Sequence, residues 1–530
     1  MVQPETPRER TKDMAAPSEK LARSLEALKA LQDRGVVAIR SNDLERTDRE
    51  RLTANGFLLP VIKGWYVPAR PDETAGESTA WYASFWSFCA SYLNERFGKA
   101  WCLSPEQSLL IHAGNRTVPR QLLVRAPKGD NKPINLLHDT SLLNVRLSIP
   151  EGKDIEVTDE GLRLYALVPA LIDCPPALFQ HNPTDIRAAL AMIRDASELL
   201  AHLLEGGHST IAGRLAGAFR NIDRDRSADE IFETMRAADY DVRESDPFKS
   251  RPPVILSKRE RSPYVNRMRL TWQAMREPLI ERFPQAPGRP KGIKTYLKHV
   301  DDVYVTDAYH SLSIEGYRVS AELIERVRKQ NWSPDENDED RDHRNALAAR
   351  GYYQAFQAVK ESLSKVLKGA NPGTVADEDH RTWYRELFAP GIAAGLLKPA
   401  DLAGYRNGPV YIRRSMHTPP SKEAVRDLMP ALFDLLTEEE DPAVRVVLGH
   451  FMFVYIHPYI DGNGRMGRFL MNVMLASGGY PWTIIPVEER KAYMATLEAA
   501  SVDNDILPFT DFLAQLVKAN LEGKMGPKVP

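Results

Sequence analysis

The longest unbroken apolar texture lies towards the C-terminus. Val446 to Ile456 is almost wholly apolar, interrupted only by Gly449 and His450. Beyond Arg468, the residues Phe469, Leu470, Val473, Met474 and Leu475 recur at helical spacing. Pro458 stops the first run, and Gly462 and Gly464 let the chain bend before the second begins. The pattern predicts helix, proline-terminated loop, helix. At the other end, Leu25, Leu28, Ala30 and Leu31 start a helical period. Ser41-Asn42-Asp43 and Thr47-Asp48 are N-cap signals for two further short helices. Leu58–Ile62 and Trp65–Val67 then predict two strands about a turn at Lys63-Gly64.

The middle of the chain has a different texture. Trp81, Phe85, Trp86, Tyr92 and Leu93 form an aromatic helical face, and Ser104-Pro105 opens another helix. Val118–Pro127 and Ile134–Leu147 alternate like strands, while Leu162–Leu171 and Ile186–Leu204 read as helices. Arg243–Lys258 is charged and proline-rich, Leu270–Phe283 is helical, and Pro284–Pro290 is a second breaker. The expected organisation is a disordered tail (1–20), a winged-helix domain (21–75), an α+β domain (76–242), a linker with a connecting helix (243–290) and a mainly α-helical domain (291–530).

Composition narrows this little. A chain of 530 residues exceeds a single core, so several domains are expected. A net charge of −2 argues against a globally nucleic-acid-seeking protein. Cys89, Cys102 and Cys174 are scattered, with no C-x-x-C pair, which excludes a disulfide framework and fits a reducing, cytoplasmic setting. No apolar run approaches the ~18 residues of a membrane span, and the polar N-terminus lacks the apolar stretch of a secretory signal.

The chemistry concentrates in His457–Arg468, HPYIDGNGRMGR. A helix that starts after glycines leaves amide N–H groups bare and attracts anions. Arg465 and Arg468 share a helical face behind that end, with Asp461 and His457 on the loop. Asp461-Gly462 and Asn463-Gly464 are also hairpin-turn dipeptides, but a hairpin needs alternating flanks and these are helical. An EF-hand would need a closing Glu, which is absent.

This stretch resembles the Fic motif, HxFx(D/E)GNGRxxR, with Tyr459 where Phe is usual. The resemblance runs from about Lys291 to Val517 and implies a nucleotidyltransferase that moves AMP from ATP to a Tyr, Thr or Ser hydroxyl of a protein target. It implies His457 as general base and Asp461 as ligand of Mg²⁺. Gly462, Asn463 and Gly464 would form the α-phosphate cradle, Arg465 would back the β-phosphate, and Arg468 would clamp the γ-phosphate. Ser311-Leu312-Ser313-Ile314-Glu315-Gly316 fits the family's inhibitory motif, (S/T)xxxE(G/N), on a helix of about 305–317. Glu315, with Ser311, would occupy Arg468 and brake the reaction. Asn407-Gly408 and Val410-Tyr411-Ile412 would build a β-hairpin flap that docks the target by strand addition.

The N-terminal part is similar to AbiEi-type antitoxins, through its helices, its wing and the segment Gly64-Trp65-Tyr66-Val67. That resemblance implies a winged helix whose Arg46, Arg49, Arg51 and Lys63 would contact DNA, or one that docks protein instead. Other readings stay open: phosphoryl, UMP or phosphocholine transfer on the same fold, removal of AMP with Glu315 orienting a water, and a DNA-binding or toxin–antitoxin-type regulator with the Fic half as effector. Homo-oligomerisation is also left open.

Overall fold

The structure is a computed structural model that describes residues 17–71, 78–250, 262–329, 343–402, 404–524 and 526–529. The expected tail before residue 17 and the linker over 251–261 lie outside the described residues. The chain forms two compact units. The first contains residues 1–104, 118–165 and 413–415, and the second contains 105–117, 166–412 and 416–530.

The first unit is α+β. Helix Pro17–Gln32 and helix Arg46–Ala54 flank strand β1 (Ile39–Arg40), and strands β2 (Leu58–Ile62) and β3 (Trp65–Pro68) follow. They form an antiparallel sheet in the order β1-β3-β2, with Ile39 opposite Tyr66 and Leu59 opposite Val67. Gly64 closes the β2–β3 turn at φ +84°. A small core of Leu28, Leu31, Ile39, Leu44, Leu52 and Leu58 joins these elements. The helix expected after Ser41-Asn42-Asp43 does not form. Asp43 accepts from the Arg40 backbone N–H at 2.7 Å, and residues 41–44 are turn. Such local side-chain bonds compete with helix.

The arginines expected to face DNA are engaged inside this unit. Arg49 donates to the Ser41 carbonyl at 2.5 Å and lies over the Tyr66 ring. Arg51 donates to Ser24 at 2.6 Å and pairs with Asp48 at 3.3 Å. Arg46 is exposed and paired with Glu50 at 2.7 Å.

Helix Thr79–Phe97 buries the aromatic face expected of it, with Trp81 set edge-on to Phe85 and Phe88. A four-stranded sheet follows, of β4 (Cys102–Leu103), β5 (Gln121–Arg125), β6 (Pro133–Asn135) and β7 (Ser141–Val145) in the order β4-β5-β7-β6. The indole N–H of Trp81 donates to Thr140 at 2.9 Å at the start of β7. Strands β8 (Ile155–Val157) and β9 (Arg163–Tyr165) pair antiparallel, so the helix expected from Leu162 begins only at Leu167.

The second unit is helical. Five helices enclose the candidate site: Ile293–Ile314, His343–Leu367, Pro372–Ala393, Pro442–Ile456 and Asn463–Gly478. Their apolar stripes, including Leu312, Phe356, Trp383, Phe451 and Phe469, meet in one continuous core. Helix Pro372–Ala393 starts cleanly because Asn371 accepts from the Gly373 and Thr374 amides and Pro372 needs no partner. It packs tightly on helix His343–Leu367 at Gly351, where a Cβ would overlap the Leu387 carbonyl oxygen.

The hairpin expected around Val410, Tyr411 and Ile412 is absent, because none of these residues is in a strand. Gly408 is not among the positive-φ glycines, so Asn407-Gly408 does not make the primed turn a hairpin wants. The Arg406 side chain donates to the carbonyls of Gly408 and Pro420, on either side of this segment.

Gly351→Ala should force the two helices apart. Overpacking of this kind costs about 1–3 kcal/mol, so the urea midpoint should fall. An unchanged midpoint would show that the backbones can separate freely.

Candidate active site

Helix Pro442–Ile456 ends at His457, which adopts the left-handed conformation (φ 52°, ψ 60°). That conformation is costly for a residue with a Cβ, and three contacts hold it. The His457 backbone N–H donates to Phe453 at 3.0 Å, and its carbonyl accepts from Arg406 Nε at 2.8 Å. The Arg406 backbone N–H reaches the Pro458 carbonyl at 2.9 Å. The ring Nδ1 lies 3.1 Å from the Val454 carbonyl. Only a protonated nitrogen can satisfy a carbonyl, so the neutral ring carries its proton on Nδ1 and its lone pair on Nε2. Burial, reinforced by Arg406, pushes the imidazole down to about 4, so it is neutral at pH 7.

The loop then closes on itself. The Asn463 side chain accepts from the Tyr459 N–H at 2.9 Å and donates to the Tyr459 carbonyl at 2.8 Å. Its amide group is therefore engaged by the loop. Tyr459 is fully buried and stacks on Tyr384 with ring centroids 3.8 Å apart. Gly462 turns the chain at φ +83° into helix Asn463–Gly478. The first-turn amides of this helix have no carbonyl behind them within it.

Behind that helix end lie both arginines. Arg465 is buried, sits over the Tyr317 and Phe388 rings, and reaches Asp461 at 3.1 Å. Arg468 is 4% exposed. Its Nε donates to Ser311 Oγ at 2.9 Å, and its Nη2 donates to the Ser311 carbonyl at 3.0 Å and to Glu315 at 2.7 Å. Burial would raise the Glu315 carboxyl, but Arg468 and Arg465 hold it below the ordinary carboxylate range. Among the described residues, Arg468 Nη1 and Arg465 Nε are buried donors without an acceptor. Gly464 makes room for the pair, since a Cβ there would overlap Glu315 Oε1 and come within 3.2 Å of Arg468 Nη1.

Glu315 caps helix Ile293–Ile314, which is longer at its N-terminus than the sequence suggested. Arg490 pins the end of this helix by donating to the Ile314 carbonyl at 2.7 Å, and His310 Nδ1 accepts from the Val487 N–H at 3.1 Å. His450 is structural, with its Nε2 2.7 Å from the Tyr493 hydroxyl. One further residue of the site escaped the sequence reading: Arg406. Asp461 is largely exposed at the loop mouth, and no group of three metal-ligating side chains occurs among the described residues.

A buried helix start with bare amides, backed by unmatched guanidinium donors and a neutral imidazole, is a site for an anion beside a base. Comparison with known proteins agrees. Residues 377–475 match the Fic/DOC family. The protein adenylyltransferase Fic of Drosophila willistoni is 29% identical over 225 residues, covering 42% of this chain and 41% of that protein. The protein adenylyltransferase fic-1 of Caenorhabditis elegans is 34% identical over 136 residues, 25% and 26% of the two chains. The chain thus spans less than half the length of these relatives. The solved structure of C. elegans Fic-1 aligns with a TM-score of 0.36 at 20% identity, covering 62% of this chain and 92% of that one.

The Tyr459 hydroxyl is buried and meets no acceptor among the described residues. An unmatched buried hydroxyl costs about 1–3 kcal/mol, so Tyr459→Phe should leave stability unchanged or raise it by about 1 kcal/mol. A clear loss in denaturant unfolding would mean that the hydroxyl has a partner.

Proposed function

We propose that this chain is a protein adenylyltransferase that transfers AMP from ATP to a Ser, Thr or Tyr hydroxyl of a protein target, and that Glu315 restrains it. The observation that carries the proposal is the buried Arg468, held by Glu315 and Ser311 while a third donor, Nη1, stands unmatched beside the helix start.

The step follows from the groups present. His457 Nε2 takes the proton of the target hydroxyl as its oxygen attacks the α-phosphorus. The bond from that phosphorus to the bridging oxygen breaks, and pyrophosphate leaves with the electron pair. Amides of Asn463 and Gly464 receive the developing negative charge. Arg468 holds the γ-phosphate when Glu315 releases it. Asp461, a lone exposed carboxylate, fits a Mg²⁺ whose other ligands come from the nucleotide; the ion would neutralise phosphate charge. The irregular segment around Val410, Tyr411 and Ile412 is the proposed target-docking edge. We do not extend the proposal to DNA, because Arg49 and Arg51 are tied within their own unit.

His457→Ala should lower transfer at least ~10²-fold with ATP binding kept; near-normal labelling by this variant would remove the histidine from the mechanism. The base must be neutral, and its pKa lies near 4 instead of the ordinary 6.5. The acid limb of kcat/KM should therefore fall near pH 4, and a midpoint near 6.5 would contradict the buried setting. Glu315→Gly should raise labelling. A charge-assisted pair is worth about 1.5–3 kcal/mol, or roughly 10- to 150-fold. Unchanged labelling by a folded Glu315→Gly protein would defeat the brake.

A further inference from the structure

A helix leaves its last carbonyls without partners of its own. At the end of helix Pro442–Ile456, the Val454 carbonyl is taken by His457 Nδ1 at 3.1 Å and the Tyr455 carbonyl by His417 Nε2 at 2.9 Å. The His417 ring also stacks on the Tyr455 ring, with centroids 4.0 Å apart. The Val454 carbonyl and the Tyr455 Cα lie in one planar peptide unit. Where Tyr455 is held therefore sets the direction of the carbonyl that orients the imidazole.

Tyr455 is held at its hydroxyl as well. Arg267 Nη1 donates to that oxygen, and the guanidinium lies over the ring, 5.7 Å from its centroid. Arg267 stands 188 residues earlier in the chain, on helix Pro263–Ile280, and is 6% exposed. Its Nε donates at 2.6 Å to Asp185, in the first turn of helix Pro183–Met192. Asp185 is 1% exposed, and Asn115 Nδ2 donates to its other oxygen at 3.1 Å. A buried ion pair adds little stability over apolar packing of similar volume. What this pair supplies is direction: Asp185 fixes one edge of a rigid guanidinium, and the fork then presents Nη1 to Tyr455.

We propose that Arg267 is a positioning residue for His457, acting through Tyr455, with Asp185 holding the guanidinium in line. The link passes from Asp185 to Arg267, to Tyr455, to the Val454 carbonyl and so to His457 Nδ1. It holds the proton on Nδ1 and leaves the lone pair on Nε2. All of these residues belong to the second unit, so chain far ahead of the motif takes part in setting the base. This inference rests on His457 as the general base.

Two single variants break the link and keep the packing. Tyr455→Phe keeps the ring and loses the oxygen. Arg267→Lys keeps the charge beside Asp185 and loses the fork. The test makes each, and both together, in the full-length Glu315→Gly chain. It measures kcat and KM for AMP transfer from ATP, and the His457 tautomer from the nitrogen chemical shifts of its imidazole. Each single variant should lower kcat roughly ten- to a hundredfold, the cost of a misplaced group, with the KM for ATP unchanged. The double variant should do no worse than either single, because both break one link. The imidazole should pass from the Nδ1–H form to a mixture of tautomers. Tyr455→Phe removes one atom, so it remains decisive if Arg267→Lys does not fold. Losses that add in the double variant, a rise in KM alone, or an unchanged Nδ1–H tautomer would overturn the positioning role. If the Glu315→Gly chain transfers no AMP, the proposed activity falls and the tautomer alone decides the link.

Discussion

A guanidinium cannot shed its charge on burial, and Arg468 is almost completely buried. Its environment must therefore supply acceptors, and most of the second unit's site is arranged around that need. Ser311 and Glu315 come from a helix more than 150 residues earlier in the chain and supply three contacts. Gly464 leaves the space that lets Glu315 lie against the motif helix. With one carboxylate present, no phosphate can use the same fork. On the proposed function, the same contacts that stabilise the resting site would restrain it.

The loop ahead of the arginine is held by a different device. His457 and Gly462 both sit at positive φ, and the turn between them would be unstable on its own. Asn463 clamps it from within through Tyr459, and Arg406 clamps it from outside through His457 and Pro458. Tyr384 stacks beneath. This rigidity gives the imidazole one orientation and one tautomer, and burial keeps it unprotonated. Geometry and protonation state therefore share a cause.

What could be read from the sequence was local in character. His457, Asp461, Gly462, Arg465 and Arg468 lie within one turn-and-helix stretch, so their spacing alone placed them together. Ser311 and Glu315 were singled out only through the resemblance of Ser311–Gly316 to the family's inhibitory motif. Arg406 was not recognisable, because its role exists only in a contact with His457, 51 residues further on. The strand expected at Val410–Ile412 failed because β-propensity needs a partner, and Arg406 had already claimed the neighbouring carbonyls. The short helix expected after Ser41-Asn42-Asp43 failed because Asp43 caps a turn instead. In this structure the Asn463 side chain serves Tyr459.

The competition between Glu315 and a γ-phosphate for Arg468 is best tested by the ratio of ATP to ADP affinity in the unaltered chain and in Glu315→Gly. The unaltered chain should bind the two nucleotides about equally, because its arginine is occupied. The variant should prefer ATP by roughly tenfold or more, the worth of one charge-assisted contact. Equal preference in both proteins would contradict the account.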